Sequence, residues 1–288
     1  MVETMPPAEL RALVLGLVQG ITEFLPISSA AHLILLPRLL GWPDQGLAVD
    51  MAANTGTLLA VLLYFRRDLG SLAVSGWRGW RGPSPIEPSP PGESQSAIDT
   101  ARLGPWLLLG TLPVAVGGLL LANWVATNGR DPRLIAWTTL VFGVVLLVAD
   151  RRAASLGRER SRELTVLRWR DALWIGVAQA LALVPGVSRS GITITAGLFA
   201  SLSRPAAARA SFLLAIPVGF LVAAKDGLDL IRGEIPGGDL APLAIVMVTS
   251  GVAGYAVIAL LLRFLRERSL MVFVAYRLAL AGVLFLLF

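Results

Sequence analysis

The chain has 288 residues, 55% of them hydrophobic and only 15% charged, and a formal charge of +6 from 24 arginines and one lysine. Soluble domains hold about 25% charged residues, so this composition, with a mean hydropathy of +0.71, excludes a soluble globular protein and reads as one integral membrane domain over 1–288. The absence of cysteine excludes disulfides, thiol catalysis and cysteine-bound metal. The arginines lie between apolar runs, where they act as topology signals and contacts to anionic membrane lipids and not as a nucleic-acid surface.

The N-terminus carries Glu3 and Glu9 without a basic cluster, unlike a cleaved signal peptide. The first apolar stretch, Leu10 to Leu40, is interrupted from Glu23 to Ser29 by Pro26 and two serines. Each half makes roughly 18–22 Å of helix against about 30 Å of hydrocarbon, so neither spans alone. Ala48 to Phe65 is long enough and ends at Arg66-Arg67. A Pro-, Gly- and Ser-rich stretch at 81–98 reads as a flexible loop. Leu103 to Ala122 spans with a kink expected at Pro113, and Leu134 to Ala149 spans next. Residues 150–170, with seven arginines, read as a basic cytoplasmic loop.

Asp171 to Leu202 is a second broken segment, interrupted at Pro185-Gly186-Val187-Ser188-Arg189-Ser190-Gly191-Ile192-Thr193. Pro205 to Ala224 (with Pro217), Leu243 to Leu262 and Leu270 to Phe288 complete six spanning helices. The fold class expected is therefore an all-α polytopic membrane protein, six spanning helices with two broken re-entrant helix pairs. The two breaks repeat each other. An offset of 160 residues carries Gly16 onto Gly176, Gln19 onto Gln179 and Ser28 onto Ser188, and a weaker echo pairs Leu108–Pro113 with Leu213–Pro217. Paired interrupted segments mark an inverted repeat with a site near the midplane. If both segments turn back to the side they came from, seventeen basic residues fall on one side and six on the other, against fifteen and eight if both cross. Basic residues favour the cytoplasm, so the re-entrant arrangement is preferred, with both termini outside and the two breaks meeting from opposite faces.

Arg189 stands in a segment otherwise almost free of charge. An arginine near the bilayer centre costs about 2.5–3.5 kcal/mol on insertion scales and is normally kept for a partner or substrate. Pro185 and Gly186 stop the incoming helix, and Ser188 or Ser190 can cap the next one, whose free N–H groups suit a phosphate. Arg189 adds a planar fork of donors. The first break contributes Gln19 and Glu23, four residues apart on one helix face, and Ser28, Ser29 and His32, the sole histidine. A carboxylate, an imidazole, hydroxyls and an arginine fit hydrolysis of a phosphate ester or anhydride, with Ser29 or His32 as nucleophile and, for Ser29, His32 as base. Glu23 and the Gln19 oxygen could hold Mg²⁺ or Ca²⁺. The plainer readings are a hydrogen-bonded core histidine, serines that only cap helices, and a structural Arg189–Glu23 ion pair. The rival class is a carrier or flippase for a lipid phosphate using the same anion site.

The runs Gln19 to Ser29 followed by His32, and Pro185 to Thr193, resemble the two signatures of the undecaprenyl pyrophosphate phosphatase family, also called the bacitracin resistance protein family. Asp171–Leu183, Ala210–Pro217 and Tyr276-Arg277 are similar to that family as well. The resemblance implies removal of the terminal phosphate from undecaprenyl diphosphate, supplying the carrier lipid of peptidoglycan synthesis and conferring bacitracin resistance. It also implies a bacterial plasma membrane location, a site opening to the outer face and a divalent cation, Mg²⁺ or Ca²⁺; a homodimer is allowed for. Carried onto this sequence, the catalytic residues are Glu23, Ser29, His32 and Arg189, the substrate-binding residues Ser28, Ser188, Ser190 and Thr193, and the metal ligands Glu23 and Gln19. Two positions depart from the family pattern: Gln19 replaces one of two potential carboxylates, and Asn54 stands where Gln or His is common.

Overall fold

A computed structural model describes residues 6–43, 46–79, 100–233 and 239–288, and the loop expected at 81–98 lies outside them. Among the described residues the chain is helical: α1 (Ala8–Phe24), α2 (Ser29–Leu39), α3 (Leu47–Tyr64), α4 (Arg66–Gly79), α5 (Thr100–Asn128), α6 (Pro132–Arg160), α7 (Trp169–Ala180), α8 (Arg189–Phe199), α9 (Arg204–Ile231), α10 (Leu240–Phe264) and α11 (Met271–Leu287). Helices α3, α5, α6, α9 and α10 are long and apolar enough to cross a membrane, and α11 is a shorter apolar helix. Leu119, Leu120, Leu260 and Leu286 face outward, the surface a hydrocarbon solvent calls for. The chain is a multi-pass membrane protein.

Two stretches differ from the sequence expectation. Arg66-Arg67 does not merely end a span; it opens α4, whose Asp68 pairs with Arg209 of α9 at 3.3 Å. The basic stretch is not loop throughout, since α6 continues to Arg160 and leaves regular helical geometry only at Gly157, φ 70°.

Side-chain contacts fix which ends share a face. Asp50 at the start of α3 pairs with Arg130 between α5 and α6 at 2.9 Å. Arg133 reaches the Phe288 carbonyl at 3.1 Å, and Arg38 at the end of α2 lies over the Phe288 ring. On the other face Asp150 of α6 pairs with Arg204 of α9 at 2.5 Å, and Arg162 pairs with Asp171 of α7 at 2.6 Å. The Arg162 backbone also exchanges bonds with Ser201 and Ser203, between α8 and α9. Each broken segment therefore begins and ends on its own face. Helices α2 and α8, eleven residues each, reach about 16 Å at 1.5 Å per residue, half the hydrocarbon thickness.

The repeat is exact in register: α2 and α8 begin and end 160 residues apart. The packing is exchanged between halves, α1 lying on α10 and α7 on α5. Both contacts run through glycine. A Cβ on Gly16 would sit 2.8 Å from the Val246 carbonyl, and one on Gly176 would sit 2.3 Å from that of Gly110. The same offset carries α3 onto α9, so the weaker echo between Pro113 and Pro217, which pairs α5 with α9, is not part of the repeat.

At Gly176 an alanine must push α7 off α5, which costs about 1–3 kcal/mol for overpacking. Gly282 of α11 has nothing within 4 Å of its would-be Cβ, and alanine there gains helix propensity. Thermal unfolding in detergent should show Gly176→Ala lowering the midpoint and Gly282→Ala leaving it equal or higher.

Candidate active site

Both breaks end in the same backbone arrangement. Ser28 (φ 74°) and Ser188 (φ 70°) are N-caps with positive φ, a region costing L-residues about 1–3 kcal/mol and kept only where surroundings impose it. Ser188 Oγ accepts from the Gly191 N–H at 3.1 Å, so of the two serines expected as caps it is Ser188 that serves. Ser28 makes no side-chain cap bond, so its hydroxyl does not occupy the first amides of α2, donors of the kind that suit an anion.

The two breaks are held together by backbone carbonyls. Ser190 Oγ lies 3.1 Å from the Glu23 carbonyl and 2.9 Å from that of Leu25, donating toward both. Arg277 of α11, fully buried, donates Nε to Thr139 O, one terminal nitrogen to Pro26 O and Val187 O, and the other to Thr138 O and Gly186 O, at 3.0–3.4 Å. A guanidinium has five N–H donors, and here five carbonyls from α6 and both breaks take them.

Glu23 stands at the junction. Its Oε2 accepts from Ser29 Oγ at 2.7 Å and from Gln19 Nε2 at 3.2 Å, and its Oε1 pairs with Arg189 at 3.1 Å. Gln19 also donates to Asn54 Oδ1 at 2.9 Å, while its own Oε1 is buried without a partner. Two cavities flank this cluster. One, of about 230 Å³, is lined by Glu23, Asn54, Arg189 and Asp226 with Leu58, Val61, Val218 and Val222. The other, of about 250 Å³, is lined by Gln19, Ser29, Asp50, Asn54 and Arg130.

The structure thus brings Glu23, Ser29, Arg189 and Gln19 together and redistributes the other expected site residues. His32 does not bond Ser29. Its Nδ1 lies 2.7 Å from the Ser28 carbonyl, which can only accept, so Nδ1 carries the proton. Nε2 then accepts from the Tyr276 hydroxyl at 2.5 Å, the two rings lying parallel. The base within reach of Ser29 is Glu23. Thr193, fully buried, donates to the Arg189 carbonyl at 2.7 Å and meets Ser211 Oγ at 2.6 Å. Its hydroxyl, like that of Ser190, fixes the break and does not reach into either cavity. The sequence singles out Tyr276, Arg277 and Asn54 only through the family resemblance; the bonds of Tyr276 to His32, of Arg277 to the two breaks and of Asn54 to Gln19 appear only in the structure. Arg277 carried the signal that singled out Arg189, a lone charge in an apolar helix.

The tautomer is checkable because His32 is the sole histidine. Nitrogen NMR of its ring should place the proton on Nδ1, and Tyr276→Phe should shift Nε2 while leaving Nδ1 protonated. A wild-type ring protonated at Nε2 would contradict the geometry.

With this geometry in place, comparison with known proteins is informative. Residues 12–283 match the family described as Bacitracin resistance protein BacA. An "Undecaprenyl-diphosphatase" from Magnetococcus marinus is 47% identical over 280 residues, covering 95% of this chain and 97% of its own. Another from Nitrosococcus oceani is 47% identical, covering 96% and 97%. An "Undecaprenyl-diphosphatase 2" from Stutzerimonas stutzeri is 42% identical, covering 97% and 98%. Agreement along nearly the whole length, both breaks included, assigns this chain to the bacitracin resistance protein BacA family.

Proposed function

We propose that the chain hydrolyses undecaprenyl diphosphate to undecaprenyl phosphate and inorganic phosphate, and that it does so where Glu23 meets Ser29 and Arg189. The activity follows from membership of the family and the full-length likeness to undecaprenyl-diphosphatases. The carrier reading gains nothing from these comparisons. The observation that carries the site is the single carboxylate that joins a hydroxyl from one break to an arginine from the other.

In this reading the isoprenoid enters along the apolar wall of the Arg189 cavity, formed by Leu58, Val61, Val218 and Val222 between α3 and α9. Both cavities lie toward the face that carries the Asp50–Arg130 pair. That face has few basic residues, so by charge bias it is the outer face of the plasma membrane. The diphosphate turns to the first amides of α2 and to Arg189, both suited to an anion. Ser29 Oγ attacks the terminal phosphorus as Glu23 takes its proton. The Oγ–P bond forms, the bridging P–O bond breaks, and the electron pair stays on the lipid phosphate beside Arg189. The proton held by Glu23 leaves with that lipid phosphate. Water then attacks the phosphoserine, yielding its proton through Glu23 to Ser29, and inorganic phosphate is released. His32 acts in this scheme as a positioning residue, its N–H holding the Ser28 carbonyl and so the strained turn that presents Ser29.

A divalent cation, Mg²⁺ or Ca²⁺, fits the donor set in a limited way. Among the described residues no three His, Cys, Asp or Glu side chains come close enough to hold one. Glu23 and the unpartnered Gln19 Oε1 are the two oxygens on offer, which suits an ion that keeps waters and takes phosphate oxygens. When bound it neutralises charge on the diphosphate.

Phosphate release from farnesyl diphosphate in detergent tests the activity. Wild type should turn over and stop with chelator. Ser29→Ala and Arg189→Ala should each lose about 10²-fold or more in kcat/KM, the scale of a lost nucleophile or oxyanion donor. Wild type without turnover would overturn the reading, and phosphate trapped on His32 would overturn the role of Ser29. Restoring a carboxylate with Gln19→Glu should lower the cation concentration needed for half-maximal rate; an unchanged requirement would remove Gln19 from the metal site.

A further inference from the structure

The hydrolysis just proposed has two products, a lipid phosphate and inorganic phosphate, and two cavities flank the cluster that forms them. The cavity holding Arg189 sets Leu58, Val61, Val218 and Val222 beside Asn54, Thr57 and Asp226, between α3 and α9. The one holding Ser29 contains Gln19, Asp50, Asn54 and Arg130. They meet at the cluster, where Asn54 borders both, Glu23 faces the first and Ser29 the second. Each contains an arginine, and only Arg189 has been assigned.

Displacement at phosphorus is in line, with the attacking and leaving oxygens on opposite sides of the transferred group. With Ser29 attacking from its own cavity, the lipid phosphate departs on the Arg189 side. The transferred phosphoryl group is left on Ser29, in the cavity that Arg130 borders. Inorganic phosphate must reach water, and Arg130 stands in the turn between α5 and α6, about half exposed, at 2.9 Å from Asp50.

We infer that the Ser29 cavity is a phosphate-binding chamber, and that Arg130 exchanges its Asp50 partner for the phosphate dianion as the product leaves. The inference rests on the phosphatase reading above. An arginine matches phosphate oxygens as it matches a carboxylate, so the exchange replaces one charge-assisted contact by another. Asp50 sets the strength: it competes for Arg130 and repels the anion, and a site that must empty each cycle needs such a competitor. Gln19 and Asn54 share the chamber with Leu15, Leu33, Ile34 and Val49, so its polar groups are Gln19, Ser29, Asn54 and the Asp50–Arg130 pair. Lipid monophosphate carries the same headgroup charge but belongs to the Arg189 cavity, and the two sources of phosphate are separable by experiment.

The test is product inhibition of farnesyl diphosphate hydrolysis, by inorganic phosphate in one arm and farnesyl phosphate in the other. Arg130→Ala should raise the inhibition constant of inorganic phosphate about tenfold, the order of one charge-assisted contact. Farnesyl phosphate should stay within about twofold, a change too small to represent such a contact. Asp50→Asn should lower the constant for inorganic phosphate. Arg130→Lys, which keeps the charge, should fall between wild type and Arg130→Ala and serves if the alanine variant does not fold. An unchanged phosphate constant in both Arg130 variants, equal shifts in both arms, or a wild type that inorganic phosphate does not inhibit would each overturn the chamber while leaving hydrolysis standing. Absence of hydrolysis in wild type would instead fail the reading beneath it.

Discussion

The arrangement depends on a buried arginine that pairs with no carboxylate among the described residues. Arg277 sits at zero exposure and turns its five N–H groups to the carbonyls of Pro26, Thr138, Thr139, Gly186 and Val187. In hydrocarbon an unsatisfied backbone carbonyl costs several kcal/mol, and irregular backbone is tolerated only where protein satisfies it. Each break leaves helix ends exposed at membrane depth. One guanidinium fork answers that problem for both at once, and ties each to α6 in doing so. The same fork fixes the distance between the breaks, which Ser190 then closes from the other side.

Once the breaks are locked, the chemistry follows from what their ends present. The N-terminus of α2, which the Ser28 side chain does not cap, presents backbone N–H groups suited to an anion. Glu23 is held by Ser29 and Arg189 on separate oxygens, so its orientation is set by groups that also act on substrate. Preorganisation of this kind is the main source of rate in phosphoryl transfer, where the protein has little covalent work to do. The glycine contacts at Gly16 and Gly176 serve the same end at longer range, drawing each half-helix against the opposite repeat.

Most of this architecture was legible in the chain. Two apolar runs too short to span in halves, a register of 160 residues between them, and the skew of arginines give the re-entrant pairs and their opposite faces. Glu23 and Arg189 stand out because charge in an apolar segment has few plain explanations, and the fold places them 3.1 Å apart with Ser29 bonded to the same carboxylate. The partnership of His32 was not. Its helical spacing from Ser29 suggests contact, yet the ring turns to a tyrosine 244 residues away, a pairing only tertiary structure sets. The family resemblance implies that Thr193 and Ser190 bind substrate. In the fold their protons go to carbonyls, since a broken helix must satisfy its own backbone first. The extension of α6 into the basic stretch is not legible because arginines signal a membrane boundary and do not end a helix; the break in regular geometry comes at Gly157.

The central claim is that Glu23 from one break and Arg189 from the other form one functional unit. A double-mutant cycle on kcat/KM with Glu23→Gln, Arg189→Ala and the combined variant measures their coupling directly. Residues acting as a unit are strongly non-additive, so the double variant should be hardly worse than the poorer single. Losses that multiply would mean two separate sites, and the account would be wrong.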